Sequence, residues 1–325
     1  MRMIRKWNSE FENTEAEMSR FAVPQAKHYL TATLVAVIYP LLSYILIGFK
    51  PEQVLLVLIF ISFYLATPIT RKFITGFSVF LVFWVIFDYM KAFPNYLYQD
   101  VHIRSLHELE LSLFGISQNN TLITPNEYWA QNTSSFLDVV SGFFYLCWVP
   151  VPLAFAGYLF YKDRSLFVKF ALTFLLVNLI GFTFYYLYPA APPWYVQQYG
   201  FDFISGTPGN TAGLARFDQF FGINLFHSMY AKSSNVFAAM PSLHSSYPVI
   251  VFYYGWKAKR KAVNILFGVI AIGIWFAAIY TNHHYVLDVL AGITCAVSGI
   301  TLFNWLSKSN AAFKQFLKHY TRIIS

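Results

Sequence analysis

The sequence predicts an all-α polytopic membrane protein of about eight transmembrane helices. Charged residues make up 12% of its 325 positions, against about 25% in a soluble domain. Mean hydropathy is +0.48. Several apolar runs reach the roughly 20 residues that a membrane-crossing helix needs.

The elements follow in order. Residues 1–27 carry Glu10, Glu12, Glu15 and Glu17 among basic residues and lack an apolar core, so they read as a cytoplasmic segment rather than a signal peptide. Spans are predicted at about 29–49, 52–68, 73–93, 136–160, 165–188, 241–256, 262–282 and 284–306, the second and sixth being the shortest. The transmembrane domain is thus residues 28–306, followed by a cytoplasmic tail, 307–325. Two outer loops, about 94–135 and 189–240, are long enough to hold function. In the first, residues 101–111 place leucines at helical spacing between charges, which predicts a short helix on the outer surface. The second opens Tyr188-Pro189-Ala190-Ala191-Pro192-Pro193-Trp194-Tyr195. Its prolines end the preceding helix, and Trp194 with Tyr195 are expected at headgroup level. Cys147 and Cys295 fall mid-helix without a CxxC spacing and read as small buried residues.

The net charge of +8 does not indicate a nucleic-acid partner, because the basic residues sort by side. With the N-terminus inside, inner segments carry Arg2, Arg5, Lys6, Arg20, Lys27, Arg71, Lys72, Lys162, Arg164, Lys169, Lys257, Lys259, Arg260, Lys261, Lys308, Lys314, Lys318 and Arg322, 18 of the 23. Outer segments hold Lys50, Lys91, Arg104, Arg216 and Lys232. This asymmetry predicts both termini in the cytoplasm.

Ionisable residues within apolar helices are functional candidates. Pro241-Ser242-Leu243-His244 opens the sixth span and His283-His284-Tyr285-Val286-Leu287-Asp288 the eighth, both at the outer side. His284 and Asp288 are four apart, hence on one helical face. The aspartate can hold one imidazole nitrogen and leave the other as nucleophile. His244 can serve as proton donor, completing the parts of covalent phosphoryl transfer. Ser242 and the free N–H groups of that helix start are expected to bind phosphate. Zinc held by His244, His283, His284 and Asp288 is the rival reading, disfavoured because adjacent histidines on a helix diverge by about 100°. Arg216 and Lys91 are candidate phosphate cations, and salt bridges to Asp218 and Asp88 are their structural alternatives.

These residues carry a resemblance. Pro241-Ser242-Leu243-His244 and His284-x-x-x-Asp288 resemble the second and third signatures of the type 2 phosphatidic acid phosphatase superfamily. The resemblance implies a six-helix phosphatase-like core, His284 as nucleophile, Asp288 as its helper and His244 as acid. The Ser-Arg that begins the usual third signature is here Ala277-Ala278. The Pro-Pro-Trp-Tyr element, Gly213-Leu214-Ala215-Arg216 and His283-His284-Tyr285 look like the inositol phosphorylceramide synthase branch. That branch implies transfer of phosphoinositol from phosphatidylinositol to ceramide with release of diacylglycerol, at an extracytoplasmic or lumenal site, with no metal or cofactor. Together with the reading of the residues above, this makes Arg216, Lys91, Ser242, His283, Trp194 and Tyr195 the substrate-binding candidates, and a regulatory subunit is left open. A lipid phosphate phosphatase is the alternative. A proton-coupled transporter lacks the broken helices and repeats expected of one.

Overall fold

The structure, a computed structural model, describes residues 23–231 and 235–325. Most of the predicted N-terminal segment, and Lys232, lie outside the described residues. The chain forms two compact units. One comprises residues up to Ala92 together with Phe316–Ser325, the other Phe93–Gln315.

The first unit holds α1 (Ala26–Ile47), α2 (Pro51–Ala66) and α3 (Pro68–Tyr89). Prolines at the first helical position start α2 and α3, and Thr67 caps α3 by accepting from the Thr70 N–H. Leu34, Val37, Ile38, Leu41 and Ile45 of α1 all stand exposed. Water would penalise such a surface, and lipid does not.

The second unit begins with α4 (Arg104–Phe114), so the predicted outer helix forms, displaced three residues along the chain. A two-residue hairpin joins β1 (Ile116–Gln118) and β2 (Thr121–Ile123), with Asn119 and Asn120 both at positive φ, as a tight β-turn requires. Helices α5 (Pro125–Gln131), α6 (Ser135–Leu146), α7 (Pro150–Lys162) and α8 (Arg164–Leu187) follow. Three short helices fold the second loop: α9 (Pro193–Tyr199), α10 (Ala215–Phe221) and α11 (Leu225–Tyr230). Then come α12 (Leu243–Lys257), α13 (Lys261–Tyr280) and α14 (Val286–Ser309). The last helix, α15 (Ala311–Ile324), enters the first unit at Phe316.

Among the described residues, six helices are long and apolar enough to cross a membrane, with α6 and α7 counted as one span, Ser135–Lys162. The other two expected spans are short. Helix α2 has 16 residues and α12 has 15, roughly 24 Å at 1.5 Å per residue against a hydrocarbon core of about 30 Å. Helix α12 starts at Leu243, so Pro241 lies before the N-cap Ser242 rather than in the first turn.

The two outer segments are joined through backbone. Ala190 bridges both His102 and Ala238 in parallel. Ile103, Ala191, Trp194, Tyr195 and Phe237 pack into one cluster beneath them. Helix direction puts this layer at the end where α12 and α14 begin, opposite the Lys162–Arg164 and Lys257–Lys261 turns.

Candidate active site

The site is made by a close crossing of α12 and α14. A Cβ on Gly292 would lie 2.1 Å from the Ser242 carbonyl oxygen, so only glycine permits this approach. Ser246 Oγ donates to the Gly292 carbonyl at 2.6 Å, and the Ser242 N–H donates to the Asp288 carbonyl at 2.9 Å. These contacts lock the first turns of the two helices together. His244 stands on one of them and Asp288 on the other.

His284 occupies the link between α13 and α14, one residue before the N-cap Tyr285. The expectation that His284 and Asp288 share a helical face is therefore corrected. They meet because Asp288 reaches back over the helix start, where its Oδ2 also accepts the Tyr285 N–H at 2.9 Å. His284 Nδ1 lies 3.5 Å from that Oδ2, within ion-pair reach but longer than a formed hydrogen bond. His284 Nε2 lies 3.2 Å from His244 Nδ1. A nitrogen with a carboxylate on its far side thus faces a second imidazole. His284 and Asp288 are buried, and His244 is partly so. Tyr145 Oη is 3.4 Å from His244 Nδ1 and accepts from Tyr230 Oη at 2.9 Å, while the Trp148 ring meets His244 edge-on.

Arg216 is brought to the same end, with a different partner from the expected one. Its Nε donates to Asp138 at 2.5 Å and its guanidinium lies over the Tyr280 ring, while Nη2 is buried without a partner. Asp218 instead accepts the N–H groups of Phe226 and His227. The Gly213 N–H donates to the Thr281 carbonyl, which straps the Gly-Leu-Ala-Arg element to the residue three before His284.

Five other substrate-binding candidates are engaged elsewhere. Ser242 is fully buried, its N–H donates to the Asp288 carbonyl, and its Oγ accepts from Ser245 Oγ. His283 Nε2 bonds the Thr211 carbonyl and its ring stacks on Tyr230. Trp194 and Tyr195 are buried within the protein. Tyr195 Oη donates to the Asp202 carbonyl and accepts from the Ile204 N–H, fixing the turn that follows α9. Lys91 belongs to the first unit and pairs with Asp88 at 2.8 Å. Among the described residues, no group of three or more His, Cys, Asp or Glu is placed to share a metal.

Ala277 and Ala278 are fully exposed to neither solvent nor cleft. Both are buried against Leu214, Phe217 and Val289. An arginine there has no room, and the Ala278 carbonyl accepts the N–H groups of both His283 and His284.

The sequence reading missed Asp138, Tyr145, Tyr230, Asn126 and Glu110. Asp138 had a signal, an acid at the start of an apolar run. Glu110 had a weaker one, lying four residues after Leu106 on the apolar stripe of α4. Glu110 and His107 are buried on that helix. Burial pushes the Glu110 carboxyl up to about 7, against the pull of two backbone N–H donors. Burial also lowers His107, against the nearby Glu127.

The pattern of the PAP2 superfamily matches residues 119–302. The chain is 43% identical over 304 residues to a phosphoinositol dihydroceramide synthase of Bacteroides thetaiotaomicron, covering 93% of this chain and 100% of that protein. It is 30% identical over 239 residues to the inositol phosphorylceramide synthase catalytic subunit of Saccharomyces cerevisiae, covering 69% of this chain and 55% of that one. The figures for the inositol phosphorylceramide synthase of Candida albicans are 26% over 276 residues, 76% and 55%. The chain therefore spans the whole of the bacterial relative and about half the length of the fungal ones. No solved structure matches it.

Proposed function

The chain belongs to the PAP2 superfamily, and on that premise we propose that it transfers phosphoinositol from phosphatidylinositol to a ceramide-class lipid, releasing diacylglycerol. The observation that carries this reading is His284 Nε2 facing His244 Nδ1 at 3.2 Å with Asp288 against the other ring nitrogen. His284 Nε2 attacks phosphorus and the bond to the diacylglycerol oxygen breaks. His244 gives that oxygen its proton. The primary hydroxyl of the acceptor then attacks the phosphorus, His244 takes its proton, and the phosphorus–nitrogen bond breaks. Asp288 holds the ring and offsets the charge that it gains. Arg216, through its free Nη2, is the proposed phosphate cation.

The names of the bacterial and fungal relatives support the head group and the acceptor class, the first of them pointing to dihydroceramide. The multi-pass membrane setting follows from the long apolar helices. The distribution of basic residues supports cytoplasmic termini and an outward-facing site. For a plain phosphatase, the missing Ser-Arg at Ala277-Ala278 leaves the phosphate without its usual arginine.

The test is product identification. Purified chain in mixed micelles receives phosphatidylinositol labelled at phosphorus, with ceramide or dihydroceramide. Label appearing in a sphingolipid, with diacylglycerol released in equal amount, is the expected result. Label appearing only as free phosphate or inositol phosphate contradicts the transferase reading.

A further inference from the structure

The catalytic link is held by residues of the first outer segment, which lies mostly before the matched superfamily region begins at residue 119. Glu110 on α4 is fully buried. One of its oxygens accepts the Val286 N–H at 2.9 Å and the other the Leu287 N–H at 3.1 Å. These are the first two N–H groups of α14, which have no partner within their own helix. The N-cap Tyr285 supplies no side-chain acceptor, and its hydroxyl lies 3.3 Å from His107 Nδ1. Asp288 accepts the Tyr285 N–H and does not reach the next two. Glu110 therefore caps the helix from 176 positions away in sequence. On the other side of the link, Asn126 Nδ2 donates to the carbonyls of Ile279 and His284, both at 2.9 Å.

A buried carboxylate is costly unless hydrogen-bonded. Two amide donors and the positive end of the helix dipole supply that compensation. A serine, threonine or aspartate at position 285 would cap the helix locally. The carboxylate brought from α4 instead fixes the first turn of α14 relative to the outer layer, in the turn that carries Asp288.

We infer that Glu110 is a positioning residue for the His284–Asp288 pair: by capping α14 through the N–H groups of Val286 and Leu287, it sets the orientation of Asp288 toward His284. Asn126 acts with it by holding the His284 carbonyl. A small displacement at such a contact is felt in the chemical step and leaves lipid binding largely unchanged.

The test uses the full chain in mixed micelles, Glu110→Gln and Glu110→Ala, and single-turnover cleavage of phosphatidylinositol with enzyme in excess and saturating. Under those conditions the rate constant reports correctly folded sites and is insensitive to an unfolded fraction. Glu110→Gln keeps one acceptor oxygen and slows cleavage about tenfold, and Glu110→Ala slows it about a hundredfold, each with a KM for phosphatidylinositol, from separate steady-state runs, within about twofold of wild type. A Glu110→Gln rate equal to wild type overturns the inference. Where Glu110→Ala yields no folded protein, Glu110→Gln decides by itself. The assay rests on the proposed donor but follows diacylglycerol whichever acceptor takes the phosphoryl group. A missing ceramide product therefore sinks the proposed function and leaves the Glu110 comparison decisive.

Discussion

His244 Nδ1 and His284 Nε2 stand at hydrogen-bond distance, so a phosphorus atom enters the site only by separating them. On the proposed mechanism the His284 nitrogen becomes the nucleophile once a substrate phosphate intervenes. Around this pair, Arg216 keeps one buried nitrogen, Nη2, free while Asp138 holds its Nε. Arg216→Lys retains the charge but loses the fork, and we expect at least a tenfold loss in kcat/KM, about 1.4 kcal/mol. Arg216→Ala loses more, because Asp138 is then left with Tyr280 Oη as its charged-state partner. Steady-state kinetics on phosphatidylinositol check both. Glu110 makes a second residue-scale prediction. Its carboxyl titrates near 4.5 in the unfolded chain and near 7 when buried. Folding therefore takes up a proton between those values, and the Glu110 contribution to stability is largest below about 4.5 and declines as pH rises to about 7. Thermal unfolding across that window should show this decline in the wild type and lack it in Glu110→Gln. Residues of this kind divide by legibility. His244, His284 and Asp288 stood out as ionisable groups in apolar runs. Glu110 did not, since its burial depends on α4 folding onto a helix start far along the chain.

Helices were legible where apolar run length alone decides them, as in α8 and α14. Their starts were less so. Pro241 reads as a first-turn proline, yet α12 begins two residues later, because Ser242 is drawn against Gly292 and bonded to the Asp288 carbonyl. Trp194 and Tyr195 read as interfacial anchors, since an aromatic pair after Pro-Pro looks the same on a membrane surface or beneath a folded loop. The backbone bridges from Ala190 to His102 and Ala238 put them beneath. No local pattern carries pairings of that range. The Gly292 crossing yields a prediction at this scale. Gly292→Ala places a methyl carbon against the Ser242 carbonyl, so α12 and α14 must separate. Overpacking of this kind typically costs about 1–3 kcal/mol of stability. Because it lies between the turns carrying His244 and Asp288, turnover should fall at least about tenfold in the fraction that folds. Paired melting and single-turnover measurements separate the two effects.

Across the whole molecule, helix direction places His244, His284, Asp288 and Arg216 at one end of the second unit and the Lys162–Arg164 and Lys257–Lys261 turns at the other. With the basic turns inside, the site faces outward. A cysteine at Gly209 should react with a membrane-impermeant thiol reagent added to intact cells, and one at Lys259 only after permeabilisation. The opposite pattern inverts the topology. On the proposed topology the site would have lipid on its flanks and the folded loop layer above it, as the proposed exchange of one head group between two lipids requires.

The claim on which all of this depends is a covalent phosphoinositol–histidine at His284. Wild-type chain mixed with labelled phosphatidylinositol, without acceptor, is denatured near neutral pH, where a phosphorus–nitrogen bond survives, and its peptides are mapped by mass. The account predicts inositol phosphate on His284, its discharge when ceramide is added before denaturation, and no adduct in His284→Ala. An adduct on His244, or turnover to a sphingolipid product in His284→Ala, contradicts it.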